Sequence, residues 1–281
     1  MPSSSPRPKA LFFDVFGTCV DWRTSVTEEL YTKAQTALGS TTSWNDDRAR
    51  MIAGAMTHED WGEVAQEWRD GYLKFTREVA SNPSPTEPYK TVDEHHVESL
   101  RTILTGRGLL FSRKDSLPAK VAHDGSLWDA AQIYELSMVW HHLTPWPDTC
   151  SGILELNKMF STVTLSNGNL DLLNDMVKHG NMQFTHIYSS EMFMSYKPSP
   201  KVYLGAAAKL GLKPEECVMV AAHLDDLKAA KSNGFSTVYV ERPREERHPE
   251  MKGGGFVDVW VEMGEEGFVT AAEKLRELVG A

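Results

Sequence analysis

Beyond Pro147 the chain alternates short apolar runs rich in β-branched residues with stretches of helical character. No other feature narrows the fold as much. The runs fall at residues 162–165, 186–188, 217–222, 237–241 and 257–261. Strands separated by helices pair in parallel through right-handed crossovers, so the pattern predicts a doubly wound parallel sheet, a Rossmann-like α/β core. A similar run lies far upstream at 9–15, where Ala10-Leu11-Phe12-Phe13 ends in Asp14 and is followed by Gly17-Thr18, as in a buried strand meeting a turn. In such sheets ligands bind beyond the carboxyl ends of the strands, which draws attention to the acid at that end.

The stretch between the first run and the others has a different period. Val26, Leu30, Ala34 and Leu38 recur at helical spacing, and Val64, Ala65, Trp68, Tyr72, Phe75 and Val79 mark a longer amphipathic helix. Residues 25–144 therefore read as an inserted helical cap domain, with 1–24 and 145–281 forming the core. Pro-containing stretches at 82–89 and 116–119 interrupt the cap, and Thr144-Pro145-Trp146-Pro147 reads as the hinge back to the core. Trp61, Trp68 and Trp128 fit helical faces and are expected in the cap interior.

Composition excludes several function classes. A chain of 281 residues that is 41% hydrophobic can bury a full core. Its formal net charge of −10, with no dense basic run, argues against a nucleic-acid surface and fits a small-molecule substrate. The first ten residues are Ser- and Pro-rich without the apolar run of a signal peptide, and no later segment approaches membrane-spanning length. A cytoplasmic protein that meets no membrane is the expectation. Cys19, Cys150 and Cys217 lack the close spacing of metal or redox motifs and read as incidental thiols, and the pairs His95-His96 and His141-His142 lack partners at ligand spacing.

Four stretches fall at or just beyond strand ends: Asp14-Val15-Phe16-Gly17-Thr18, Ser166-Asn167-Gly168-Asn169, Lys197-Pro198 and His223-Leu224-Asp225-Asp226. A nucleophilic carboxylate needs a nearby cation to keep it ionised and donors to fix its orientation. Asp14 and Lys197 supply the pair. Asp226 is a second acid suited to positioning water or the lysine, while Thr18 and Ser166 are suited to a substrate carboxylate. Of the adjacent acids, one is expected to cap the following helix and the other, Asp226, to face the site.

In order and wording these stretches resemble the haloacid dehalogenase superfamily, whose four motifs are a strand-end Asp, a Ser/Thr, a Lys and an acidic loop. The resemblance covers most of the chain and implies an Asp14 nucleophile with the site between core and cap. Phosphatases of the superfamily typically carry a second Asp two positions after the nucleophile to protonate the departing alcohol. Here that position is Phe16. Halide leaves as a stable anion, so an aromatic there resembles the 2-haloacid dehalogenase branch. Tyr203, six residues after Lys197, and Leu165-Ser-Asn-Gly-Asn169 match that branch as well. Its cap motif resembles Trp68-Arg69 with Tyr72, which implies that Arg69, assisted by Asn167, binds the leaving halide; a guanidinium stays charged and offers several donors. The implied reaction is displacement of halide from a small 2-haloacid through a covalent ester, giving a 2-hydroxy acid with no cofactor. A homodimer is a further expectation carried by the resemblance.

The last motif departs from the branch, since its Ser and Asn are replaced by Ala221, Ala222 and His223. His223 is accordingly assigned to the substrate. Asp225-Asp226 also resembles the acidic pair with which phosphatases and their nucleophile hold Mg²⁺. In that alternative Asp14 and Asp226 are metal ligands and the substrate is a phosphate ester. A third possibility is a catalytically silent binding protein of this fold. The cap is long for the simplest dehalogenases, which implies a substrate larger than chloroacetate.

Overall fold

The computed structural model describes residues 7–40, 47–82, 89–111 and 125–280. Most of the 82–89 stretch and all of 116–119 lie outside the described residues. The chain divides into two compact units, Met1–Trp22 with Thr76–Tyr89 and Leu143–Ala281, and Arg23–Phe75 with Lys90–His142.

The first unit is built on a six-stranded sheet with every pairing parallel. Its strands are β1 (Ala10–Phe13), β4 (Ser161–Ser166), β5 (His186–Ser189), β6 (Cys217–Ala221), β7 (Ser236–Val240) and β8 (Val259–Val261), in the order β5-β4-β1-β6-β7-β8. Two further segments, β2 (Val20–Asp21) and β3 (Thr144–Pro145), form an antiparallel pair, so the hinge read at 144–147 is stitched to the residues just after the first turn. Helices α6 (Thr149–Leu156), α7 (Leu170–His179), α8 (Pro200–Lys209), α9 (Leu224–Ser232) and α10 (Gly267–Val279) flank the sheet. All four β1 side chains are fully buried, which is why this strand reads as an unbroken apolar run: a central parallel strand is covered on both faces. Gly152 in α6 lets α10 approach closely, since a Cβ there would lie 2.3 Å from the Cβ of Phe268.

The strand order reverses at β1. Succession from β1 runs one way through β4 to β5 and the other way through β6 to β8. The carboxyl end of β1 is thus the switch point, where the crossover loops diverge and leave a crevice.

In the second unit, α1 (Trp22–Gly39), α2 (Asp47–Ala55), α3 (His58–Ser81), α4 (Val92–Gly106) and α5 (Ala130–Ser137) supply the helical character anticipated for the insertion. Its interior is aromatic. Trp61 meets Trp128 at 5.7 Å between ring centroids, and Trp68 sets its edge against Trp140 at 5.4 Å. His96 is buried and stacks on Trp140, and His141 is buried beside Asp93, so neither histidine is a surface group.

The division differs at one place from a single insertion of 25–144. Thr76–Tyr89 belongs with the first unit, and the boundary falls inside α3. Arg77 pairs with Asp225 at 2.6 Å and the ring of Tyr89 stacks on Tyr196 at 5.1 Å. Helical periodicity continues unchanged through a helix whose ends pack in different bodies, so the boundary leaves no mark in the sequence.

Candidate active site

The backbone of Asp14 extends the β1 ladder by one bond, its N–H donating to the Val220 carbonyl at 3.0 Å. The carboxylate therefore emerges directly beyond the strand end. Gly17 then takes φ +82°, a left-handed conformation that only glycine adopts freely, and the chain turns back. The turn brings Thr18 over the acid, its hydroxyl donating to Asp14 Oδ2 at 2.7 Å while accepting the Ala222 N–H at 2.9 Å. Arg242 locks the turn from behind. Its Nε donates to the Thr18 carbonyl at 3.0 Å, and its other nitrogens grip Asp148 at 2.6 and 2.8 Å.

Lys197 arrives from the loop that precedes α8. Its Nζ is 2.9 Å from Asp14 Oδ1 and 2.5 Å from Asp226 Oδ2, so one ammonium serves two buried carboxylates. Asn167, just after β4, fixes the lysine backbone: Oδ1 accepts the Lys197 N–H at 2.7 Å and Nδ2 donates to the Lys197 carbonyl at 3.2 Å. Tyr203 on α8 donates its hydroxyl to Asp226 Oδ1 at 2.6 Å.

His223, at the start of α9, faces a carboxylate at each ring nitrogen. Nδ1 is 3.1 Å from Asp14 Oδ2 and Nε2 is 3.2 Å from Glu245 Oε2. Glu245 is buried and also accepts the Trp22 indole N–H at 2.8 Å. Gly17 makes room for it, since a Cβ there would fall 2.0 Å from Glu245 Oε2.

These contacts set the protonation states. Burial alone would raise the Asp14 pKa, but the charge of Lys197 and the hydrogen bond and charge of His223 outweigh it and hold the group far below the usual carboxylate range. Burial would lower Lys197, yet the two acids raise it. Burial would likewise lower His223, but its bonds to Asp14 and Glu245 raise it to about 10. Asp226 is pushed up by burial and by the charge of Asp14, against the opposing pull of Lys197 and Tyr203. The arrangement is an ionised carboxylate clamped by two cations and a hydroxyl, oriented by fixed donors as a nucleophile must be.

The family model of haloacid dehalogenase-like hydrolases matches residues 8–234, a span that includes the strand-end acid, the lysine and the acidic loop. The chain belongs to the haloacid dehalogenase-like hydrolase family. The crystal structure of a defluorinating L-2-haloacid dehalogenase is similar over 98% of both chains, with a TM-score of 0.77 and 29% identity. Among curated proteins, the chain is 32% identical to (S)-2-haloacid dehalogenase 1 of Pseudomonas sp. (strain CBS-3) over 37% of its own length and 47% of the relative's. It is 33% identical to glyceraldehyde 3-phosphate phosphatase of Methanopyrus kandleri over 36% of its length and 45% of that protein's. The chain thus spans less than half the length of each of these curated relatives.

For this hydrolase, the structure brings together Asp14, Thr18, Lys197, His223 and Asp226 of the residues singled out by sequence. The other residues singled out have partners of their own. Tyr203 is wholly buried and donates to Asp226. Asn167 is engaged with the backbone of Lys197 and with Ser190, whose hydroxyl it accepts at 2.8 Å. Ser166 is buried, and its hydroxyl accepts the Gly168 N–H at 3.2 Å, shaping the turn. Phe16 is buried, and its ring lies 3.1 Å from where a Cβ on Gly168 would stand. Asp225 pairs with Arg77 and accepts the Asp226 N–H at 3.0 Å, while the first helical N–H, that of Leu224, is taken by Glu246 at 2.9 Å. Arg69 lies in the second unit, buried, with its guanidinium 4.7 Å from the centroid of the Tyr72 ring.

Glu245, Arg242 and Asp148 escaped the sequence reading. In Arg242-Pro-Arg-Glu-Glu-Arg247 the charges look like a solvated run, and only burial separates Arg242 and Glu245 from the rest.

The donor set does not fit Mg²⁺, the cation that phosphatases of the family imply. The oxygens it would take on Asp14 are held by Thr18, His223 and Lys197, and those on Asp226 by Lys197 and Tyr203. Two cationic side chains beside Asp14 would repel a dication, and Ala222 offers no ligand. Among the described residues no group of three or more His, Cys, Asp or Glu could hold a metal ion.

Proposed function

We propose that the chain hydrolyses the carbon–halogen bond of a small 2-haloalkanoic acid through an ester on Asp14, without a metal ion. The observation that carries this reading is Phe16. It occupies the position two after the nucleophile, buried and with no proton to give, where a phosphate-ester hydrolase needs an acid for its leaving alcohol. Halide has no such need.

Asp14 Oδ2 is held by both Thr18 and His223, whereas Oδ1 meets Lys197. Oδ1, with fewer donors on its lone pairs, is the attacking atom. It bonds to carbon 2 opposite the halogen, and halide departs with the bonding pair. Water then adds to the Asp14 acyl carbon and the product leaves as the 2-hydroxy acid, with one proton released. The similarity to several (S)-2-haloacid dehalogenases supports this reading. Similarity to a glyceraldehyde 3-phosphate phosphatase favours the second reading, a metal-dependent phosphatase acting on a small phosphate ester.

The test is halide and 2-hydroxy acid release from (S)-2-chloropropionate, with EDTA or with Mg²⁺, by the parent chain and by Asp14→Asn, beside a phosphate-ester assay. Release that survives EDTA and vanishes in Asp14→Asn is the expected result. Phosphate-ester turnover that requires Mg²⁺, with no halide from the haloacid, would overturn it in favour of the second reading.

A further inference from the structure

Lys197 and Thr18 already hold Asp14, yet the fold spends a buried carboxylate, an indole donor and a glycine on placing the imidazole of His223 beside it. Glu245 is only 5% exposed, its Oε1 is anchored by Trp22 and its Oε2 is turned to His223 Nε2. Gly17 is the residue whose missing side chain lets that carboxylate in. On its other edge the same imidazole reaches the nucleophile oxygen that Thr18 also holds.

We infer that Glu245 and His223 form a positioning pair for the hydrolytic half-reaction, in which His223 Nδ1–H and the Thr18 hydroxyl hold the carbonyl oxygen of the Asp14 ester and the oxyanion that develops on it. This rests on the dehalogenase reading above and assigns the departure in the last motif a chemical purpose. Each ring nitrogen faces a carboxylate oxygen, and an ionised carboxylate only accepts, so both nitrogens donate and the ring is an imidazolium. When Oδ1 is alkylated, Oδ2 becomes the ester carbonyl with both donors already in place. Water oxygen then bonds to Cγ and yields one proton to solvent, and the carbonyl π pair moves onto Oδ2. Return of that pair expels Oδ1 with carbon 2, and the departing alkoxide takes the proton left on the added oxygen. Asp14 is restored as a carboxylate. Donors fixed beforehand at the site of developing charge need no reorganisation when it forms. His223 touches a reacting atom; Glu245 acts through it.

The experiment uses the full chain with Glu245→Gln, Glu245→Asp and His223→Gln, each checked for cooperative thermal unfolding well above the assay temperature. With (S)-2-chloropropionate, rapid-quench halide release reports ester formation, and intact-protein mass after acid quench reports ester on Asp14. The expected result in Glu245→Gln and His223→Gln is a first-turnover halide burst that falls less than steady-state turnover does, with ester accumulating. Steady-state turnover falls by ~10²-fold in His223→Gln, as for loss of an oxyanion donor, and by less in Glu245→Gln. Glu245→Asp restores part of it. Equal loss in burst and turnover, or loss without trapped ester, would overturn the proposal. A second readout needs no substrate: side-chain ¹⁵N NMR should show both His223 nitrogens protonated in the parent at pH 8 and one of them deprotonated in Glu245→Gln. A neutral His223 in the parent overturns the proposal even if halide is released. A protonated His223 in a parent that releases no halide means instead that the dehalogenase reading has failed, and the hydrolytic assignment falls with it.

Discussion

Lys197 holds Asp14 through a contact of 2.9 Å between Nζ and Oδ1, and the same ammonium is the counterion of Asp226. Replacing it by methionine leaves two buried carboxylates facing each other. Breaking a buried ion pair from one side costs about 3–5 kcal/mol, because the surviving charge is left uncompensated. Lys197→Met should lose stability of that order in urea unfolding at pH 7, recover part of it toward pH 5 as one acid takes up a proton, and release no measurable halide. A variant as stable as the parent at pH 7 would mean that the ammonium is not the shared counterion.

Tyr203→Phe removes only the hydroxyl that donates to Asp226 Oδ1 at 2.6 Å. A buried acceptor left without its donor costs about 1–3 kcal/mol. Thermal unfolding should show a loss in that range. Activity should fall less than in Lys197→Met, since Asp14 keeps all of its own partners. An unchanged midpoint would place a replacement donor at Asp226.

At Thr18 the hydroxyl both donates to Asp14 and accepts from the Ala222 N–H, so its two roles separate by substitution. Thr18→Ser keeps the hydroxyl and should retain activity within about tenfold, allowing for a freer rotamer. Thr18→Val keeps the shape, strands a buried N–H and frees one lone pair of Oδ2; turnover should drop by ~10²-fold or more, as when a donor to developing charge is removed. Measured kcat and KM for the pair decide it, and equal losses in both variants would show that shape rather than the hydroxyl is what matters.

The His223 pKa, raised to about 10 from an ordinary 6.5, makes stability depend on pH with a definite sign. The folded state binds the proton more tightly than the unfolded chain does, so this contribution is fully present below pH 6.5 and is lost as pH rises toward 10. The stability difference between the parent and His223→Gln should therefore shrink from pH 6 to pH 10 in denaturant titrations. A difference that grows with pH would show that the histidine is buried neutral.

Much of the first unit was legible because buried parallel strands leave a strong trace. All six strands of the main sheet lie on or within a residue or two of the apolar runs, and Asp14 follows β1 as expected. The pair β2 and β3 was not legible, since two residues per strand carry no periodicity. The passage of Thr76–Tyr89 into the first unit was hidden for the reason that α3 keeps one period throughout.

The site divides along the same line. Asp14, Thr18, Lys197 and Asp226 stand beside strand ends in recognisable short motifs, and in a doubly wound sheet position along the strand already implies position in the crevice. The sequence by itself therefore determined the fold class and the placing of Asp14 with its cation, because both follow from local pattern and from the order of the motifs. Only the tertiary structure decided what Tyr203, Asn167, His223 and Glu245 do. Their roles depend on which polar atoms meet across 22 to 223 residues of chain, and burial converts an exposed-looking charge such as Glu245 into a fixed partner. Such pairings arise from packing, where an unmatched polar group is costly, and leave no regular spacing by which they could be read.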